Sequence, residues 1–366
     1  MSKNVTIRRY PQTSNNSLQA WNAGDEYILE HLSEIDLSNK TVAVCNDRFG
    51  YLSCYLHEAE PLIMIHRKSQ EKSIRMNLEE NQLRVDSGRW FTPFEEVPGP
   101  IDIAVLQVPK SLDLFRFFLH KLSASLAADG TVICSFMTKY FTPALLEVSR
   151  EYFEEAEQSR AVKKSRLLIL KKKKSLPESS FIDSFEHTFA EGTTETLSQY
   201  PGVFSAGQVD YATSYLLSHL KVADSENRVL DLGSGNGVIA RAVQMINPDA
   251  QVHLVDDSIF AIESSKLNVE SANSHFYWDD TLNELDDQSF DLVVSNPPFH
   301  FGHEITIEVS VTLFREAAGI LKKGGRFLCV ANQHLGYKPH LKKFFRSVEV
   351  LSQNKKFVVY ECRKAT

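Results

Sequence analysis

Val229-Leu230-Asp231-Leu232-Gly233-Ser234-Gly235-Asn236-Gly237-Val238-Ile239-Ala240 decides the fold. It reads as a buried strand, a glycine-rich turn and the first residues of a helix. Gly233 and Gly235 permit positive φ and let a ligand approach the backbone closely. Free amides at the start of the following helix favour negative or electron-rich groups. A dinucleotide fingerprint needs glycine at the position of Val238, and here the third glycine falls one residue early, at Gly237. A dehydrogenase is therefore disfavoured. Asp231, ahead of the first glycine, can reach an amine or amino-acid group held in the turn.

Further along, the apolar run Asp291-Leu292-Val293-Val294 leads into Ser295-Asn296-Pro297-Pro298-Phe299-His300. Two consecutive prolines cannot donate ladder hydrogen bonds, so a strand must stop there. Open α/β sheets bind ligands at that carboxyl edge. An Asn amide oxygen beside a proline-flanked carbonyl suits an amino group, and the ring of Phe299 suits a flat base. The two segments, in this order on successive strand ends, imply a site for a planar, amino-bearing substrate.

These residues resemble the class I S-adenosylmethionine-dependent methyltransferases, in the branch that methylates exocyclic amines of nucleic-acid bases. The resemblance implies a cofactor cradle of Asp231, Gly233, Gly235 and Gly237, with Asn296 at its rim. It assigns Asp256, closing the strand Gln251 to Asp256, to the ribose hydroxyls. Asp280, favoured over Asp279 after the strand His275 to Trp278, is assigned to the adenine amino group. Phe204, Ser205 and Gly207 in Pro201-Gly202-Val203-Phe204-Ser205-Ala206-Gly207 correspond to a turn over the methionine end. Ser258 is placed to cap the helix that runs to Glu270.

A chain of 366 residues, 43% hydrophobic and 24% charged, is ordinary globular stock with room for two cores. The polar start Met1-Ser2-Lys3-Asn4 reads as no signal segment, and no stretch approaches a membrane span. Five scattered cysteines read as reduced cytoplasmic thiols, and neither they nor the twelve histidines show metal-ligand spacing. No metal and no membrane partner are expected. A net charge of −7 leaves nucleic-acid binding to local basic patches. One candidate joins Lys163-Lys164-Ser165-Arg166 to Lys171 through Lys174. The other is Lys338, Lys342, Lys343 and Arg346, which follow the strand Arg326 to Ala331 near the substrate edge.

The first half of the chain reads as a worn copy of the second. Val42 through Gly50 matches the strand and glycine turn from Val229, 187 residues on; Asn77 matches Asn268 at 191, and Pro109 matches Pro298 at 189. Ala128 to Ile133 likewise matches Lys323 to Leu328. Near-constant offsets in the same order indicate a duplicated α/β unit. In the copy, Arg48 and Phe49 stand where a ligand needs open backbone, and Lys110 replaces the aromatic. The expected fold is therefore α/β: two tandem Rossmann-like methyltransferase domains. Residues 1–175 form a degenerate, non-catalytic and RNA-guiding domain. Residues 190–366 form the catalytic domain, its seven-stranded, mostly parallel sheet closed by an antiparallel edge hairpin, Ser347 to Leu351 with Phe357 to Cys362. A helix is expected over Thr306 to Leu321, and the boundary between Lys171 and Glu191.

Leu18 through Tyr27, Val203-Phe204-Ser205, Asn296 through His300, Val330 through Leu335 and Asn354 through Val359 narrow the resemblance to the ribosomal RNA large subunit methyltransferase G family. It spans nearly the whole chain. Ala206 departs from the basic residue often found there. The family implies methyl transfer to N2 of a guanine in 23S rRNA, and the protein is expected to be a monomer. Asn296 Oδ1 and the Pro297 carbonyl would accept the amine hydrogens, Pro298 would stiffen the turn and Phe299 would stack on the base. His300 reads as a loop residue able to accept the released proton. Alternatives are a small-subunit rRNA guanine-N2 enzyme, which shares both motifs, and an adenine-N6 or protein-glutamine methyltransferase. A non-catalytic RNA-binding or ribosome-assembly protein is a further alternative.

Overall fold

The computed structural model describes residues 5–13, 17–205, 207–297 and 307–365. The chain divides into two compact units, Met1–Phe181 and Ile182–Thr366.

In the first unit the strands are β1 (Val42–Cys45), β2 (Leu62–Met64), β3 (Trp90–Phe91), β4 (Ile101–Gln107), β5 (Leu126–Met137), β6 (Phe153–Gln158) and β7 (Ser165–Lys173). The helices are α1 (Ala23–Leu32), α2 (Tyr51–Tyr55), α3 (Lys68–Glu80), α4 (Leu112–Ser125) and α5 (Pro143–Tyr152). The second unit opens with a hairpin of β8 (Asp183–Thr188) and β9 (Thr194–Gln199). It continues with β10 (Arg228–Leu232), β11 (Gln251–Asp256), β12 (Ser274–Trp278), β13 (Phe290–Ser295), β14 (Leu321–Asn332), β15 (Ser347–Gln353) and β16 (Phe357–Arg363). Its helices are α6 (Tyr211–Leu217), α7 (Val238–Ile246), α8 (Ile259–Asn268), α9 (Ile307–Ile320) and α10 (Lys338–Leu341).

Each unit holds a seven-stranded sheet, in the orders β3-β2-β1-β4-β5-β7-β6 and β12-β11-β10-β13-β14-β16-β15. Five strands of each are parallel, and the last two pair antiparallel. The expected fold class is therefore found in both halves. In the second unit, Val229, Leu292 and Leu328 pack on one face with α6 and α7 residues; Leu230, Val293 and Phe327 pack on the other with α9 residues. A strand covered on both faces must be apolar along its length, which is why these strands read as continuous hydrophobic runs.

The sequence reading differs from the structure in places. No strand is read between Lys174 and Pro201, yet the β8–β9 hairpin lies there. Its side chains are mostly polar and half of them are exposed, and Leu197 and Phe185 provide its apolar anchor. Lys171, Lys172 and Lys173 lie in β7 rather than in a linker. Lys172 pairs with Glu155 at 2.5 Å and Lys163 with Glu26 at 2.7 Å, so the first basic stretch is partly neutralised.

Candidate active site

Leu232, the last residue of β10, pairs with Val255 of the parallel neighbour β11, and the turn after β10 folds over that seam: Gly233 N and Ser234 N donate to Val255 O at 2.9 and 3.1 Å. Gly233, Gly235 and Gly237 have φ of 76°, 56° and 81°, in the left-handed region. Their roles divide. A Cβ on Gly233 or Gly235 would meet no atom within 4 Å, so those two line open space. A Cβ on Gly237 would lie 2.8 Å from Val269 Cγ2 and 3.1 Å from Ser265 Cβ. Gly237 is thus a packing glycine between α7 and α8.

Two carboxylates flank the turn. Asp256 Oδ2 accepts from Gly235 N at 3.0 Å, and its Oδ1 accepts from Ser258 N at 2.8 Å. Ser258 is at the N-cap position of α8, but its hydroxyl makes no cap bond, so the expected side-chain cap is absent; its own backbone amide donates to Asp256 Oδ1. Asp231 is buried, its Oδ2 accepting from Ala240 N at 3.0 Å while Oδ1 has no partner. Burial pushes its carboxyl well above the usual carboxylate range, and the nearby Asp256 charge adds to that. A buried unpaired acceptor costs about 1–3 kcal/mol, which a donor or cation in the open space would recover.

At the end of β13, Ser295 Oγ donates to Leu232 O at 2.7 Å and fixes the strand tip against the glycine turn. Asn296 Nδ2 donates to Asp210 Oδ2 at 3.3 Å and to Thr213 Oγ1 at 2.9 Å. A carboxylate only accepts, so the amide nitrogen must face Asp210. Asn296 Oδ1 is then buried with no partner. Asp210 is itself fixed, as the N-cap of α6 accepting from Ala212 N and Thr213 N.

The loop after β9 crosses the same edge. Asn268 clamps its start, accepting from Ser198 N at 2.8 Å and donating to Ser198 O at 2.7 Å and Asn236 O at 2.8 Å. Buried Gln199 accepts from Asn236 Nδ2 at 3.0 Å and donates to Ser205 O at 3.5 Å. Ser205 and Gly207 have φ of 63° and 76°, and the Phe204 ring is 68% exposed.

Family models of two kinds match the chain: an RLMG N-terminal domain over residues 1–175 and a methyltransferase small domain over residues 194–361. The ribosomal RNA large subunit methyltransferase G of Vibrio parahaemolyticus is 32% identical, over 99% of this chain and 95% of its own length. The Pseudoalteromonas translucida protein of the same name is 31% identical, over 100% of this chain and 97% of its own. The chain belongs to the ribosomal RNA large subunit methyltransferase G family. A solved structure of the Thermus thermophilus 16S rRNA N2 G1207 methyltransferase, in complex with AdoMet and guanosine, superposes with a TM-score of 0.75. It is 24% identical, covers 88% of each chain, and speaks for the fold.

In this family member the structure gathers Asp231, Gly233, Gly235, Asp256 and Asn296 on adjacent strand ends. Gly237 lies on the packing side of the same turn. Asp280 follows β12 at the neighbouring strand end, where Asp279 Oδ1 already accepts from Thr281 N at 2.8 Å and Thr281 Oγ1 at 3.0 Å. Lys338, Lys342, Lys343 and Arg346 are all exposed, on α10 and the turn after it. Pro298, Phe299, His300, Thr306 and Ala206 lie outside the described residues. Among the described residues no three His, Cys, Asp or Glu side chains group as metal ligands, and no helix is long and apolar enough to cross a membrane.

Sequence reasoning missed Asp210 and Thr213, though an Asp just ahead of a helical pattern is an N-cap signal. It also missed Gln199 and Asn236, whose pairing carries no sequence signature.

Proposed function

We propose that this chain transfers a methyl group from S-adenosylmethionine to the exocyclic N2 of a guanine in 23S rRNA. The observation that carries the reading is Asn296 Oδ1, a buried acceptor without a partner, aimed by Asp210 and Thr213. The cradle fits the cofactor: Gly233 and Gly235 leave space, and Asp231 Oδ1 awaits a cationic donor such as an amino group. Asp256 and Asp280 are assigned to the ribose hydroxyls and the adenine amine, and Phe204, Ser205 and Gly207 to the methionine end. Bound there, S-adenosylmethionine supplies an electrophilic methyl group.

The guanine amine is a poor nucleophile because its lone pair is delocalised into the ring. Asn296 Oδ1 and the Pro297 carbonyl would accept its two hydrogens and turn the lone pair towards the methyl carbon. Phe299 would stack on the base, a contact of roughly 1–3 kcal/mol. Orientation of this kind accounts for about 7–11 kcal/mol of a barrier. As the new nitrogen–carbon bond forms, the donor's sulfur–methyl bond would break with its electron pair left on a neutral thioether. The amine becomes acidic as it is methylated and would pass its proton to solvent, so no strong base is needed.

The first unit is read as non-catalytic. At the 187-residue offset, Asn46 and Arg48 stand at the places of Gly233 and Gly235. Asp47 accepts from Gly50 N, Ser53 N and Ser53 Oγ, so this buried carboxylate is taken up within its own turn, whereas Asp231 keeps Oδ1 without a partner. Its proposed role is RNA guiding. Both sheets reach seven strands within one chain, which supports a monomer, and an rRNA substrate implies the cytoplasm.

The test is methyl transfer from labelled S-adenosylmethionine to separated large- and small-subunit rRNA from cells lacking the protein, with nucleoside analysis. N2-methylguanosine in large-subunit rRNA alone is expected. The same product in small-subunit rRNA would move the substrate to the other subunit, and no transfer to either RNA would refute the reaction.

A further inference from the structure

Two grooves in the second unit carry clustered basic residues, and they differ in how those charges are met. One lies at the amino edge of the sheet and includes Lys221, Lys322, Lys323, Arg326 and Arg363. Three of its five charges are compensated. Lys322 pairs with Asp291 at 2.6 Å, Arg326 with Glu226 at 2.6 Å and Glu361 at 2.9 Å, and Arg363 with Glu361 at 3.0 Å. The other, about 400 Å³, lies at the carboxyl edge and is lined by Gln333, His334, Lys355 and Lys356. Among the described residues neither of its lysines has a carboxylate within ion-pair distance.

This second groove is built rather than floppy. Gln333 N donates to Lys356 O at 3.0 Å, and Gln333 Nε2 donates to Asn354 O, tying the turn after β14 to the tip of the β15–β16 hairpin. Asn354 Oδ1 accepts from Lys356 N at 2.9 Å and Phe357 N at 2.8 Å, which fixes the tip. Lys356 Nζ lies 5.0 Å from the centroid of the Phe357 ring. Two exposed lysines, adjacent in sequence, thus stand on a fixed turn in a protein whose net charge is −7. Holding like charges together is unfavourable unless an anion shares them.

Position identifies the anion. Ser295 pairs with Cys329, and β14 runs three residues further to Asn332, which pairs with Phe357. At about 4.8 Å between strands and 3.3 Å per residue, the groove lies roughly 10–15 Å from Asn296. We propose that Lys355 and Lys356, with His334 and Gln333, hold backbone phosphates of the RNA strand that carries the target guanine. The inference rests on the RNA substrate proposed above. It adds the place where the strand is gripped beside the flipped base, on the hairpin and apart from α10.

The test is the salt dependence of rRNA binding by the full chain carrying Lys355→Gln and Lys356→Gln, beside Lys221→Gln with Lys323→Gln, which removes the same charge at the opposite edge. For single-stranded RNA the slope of log K against log salt changes by about 0.7 for each phosphate contact. The hairpin pair should therefore flatten the slope by about 1.4 and raise the KM for rRNA, with S-adenosylmethionine affinity within about twofold of wild type. The opposite-edge pair should keep the wild-type slope. A wild-type slope in the hairpin variant, or equal flattening in both variants, overturns the groove alone. A wild-type protein with no salt-dependent affinity for rRNA overturns the proposed substrate and the groove together.

Discussion

Asn296 gives its amide nitrogen to Asp210 Oδ2 at 3.3 Å, and its Oδ1 is left buried without a partner. The first unit contains the same device: Gln107, at the end of β4, donates through Nε2 to Asp25 Oδ1 in the first turn of α1. In both units an amide at the tip of the fourth strand of the sheet is tied to a carboxylate at the start of the helix preceding the first strand. The first unit kept that tie although its glycine turn is lost, so the tie does not depend on cofactor binding. Only in the second unit does it leave an acceptor at the mouth of an open cradle.

Asp210→Asn should separate aim from binding. Asn caps a helix nearly as well as Asp, so α6 should hold. The neutral amide no longer dictates which end of the Asn296 carboxamide faces it. Turnover should fall about 10–100-fold, the scale of an ångström-level misplacement. S-adenosylmethionine affinity should stay within about twofold. Steady-state kinetics with calorimetric binding checks this, and wild-type turnover would mean the orientation is set elsewhere.

Substitution of Asn296 itself should read the acceptor directly. Asn296→Ala should retain the cofactor and lose about 10²–10³-fold in turnover, the scale of one preorganised polar group. Asn296→Asp places a second carboxylate against Asp210, so the pair holds a proton to higher pH than either alone. Protonated on the oxygen facing Asp210, the new side chain imitates the amide, donating there and accepting from the amine. Its activity should be highest at low pH and fall as pH rises through the raised pKa. A pH–rate profile parallel to wild type would refute the amide's role.

The α/β class, the parallel strands and the antiparallel edge hairpin were legible because they rest on local signals. Apolar runs mark strands covered on both faces, and Gly-x-Gly and Pro-Pro mark their ends. The duplication shows in single contacts. Asn77 clamps Arg8 and Phe49 O as Asn268 clamps Ser198 and Asn236 O. The β8–β9 hairpin escaped because its alternation is mostly polar. Asp210 and Thr213 escaped because they meet Asn296 across 86 and 83 residues, and such a contact is a product of the fold. Gly237 was read as part of the cradle because a glycine's sequence position does not say which neighbour its hydrogen faces.

Asp231 should make cofactor affinity pH-dependent, with a definite sign. In the free protein, burial holds its carboxyl protonated to higher pH than usual. A cation at Oδ1 favours the ionised form, so binding should release a proton. Affinity should then strengthen as pH rises towards the raised pKa and level off above it. Calorimetry in buffers of different ionisation enthalpy counts that proton. Asp231→Asn should abolish the release and weaken binding about 10–100-fold, the scale of about 1.5–3 kcal/mol for a charged hydrogen bond. An unchanged proton count would remove Asp231 from the cofactor contact.

Gly235→Ala and Gly237→Ala should fail in opposite ways. The first unit keeps a glycine at the place of Gly237: Gly50, with φ of 85°, where a Cβ would lie 2.9 Å from Ile74 Cα. It keeps none at the places of Gly233 and Gly235, as expected if only the third glycine serves packing. Gly237→Ala should therefore lower stability by about 1–3 kcal/mol through overpacking against Val269 and Ser265, with a further 1–2 kcal/mol or so from the left-handed backbone. Gly235→Ala carries only the backbone part, because nothing stands within 4 Å of its Cβ. Its methyl group instead projects into the space read as the cofactor's. Melting temperature and S-adenosylmethionine affinity, measured on both variants, should show a large thermal loss for Gly237→Ala and a large affinity loss for Gly235→Ala. Wild-type affinity in Gly235→Ala would mean the open side of the turn is not where the cofactor lies.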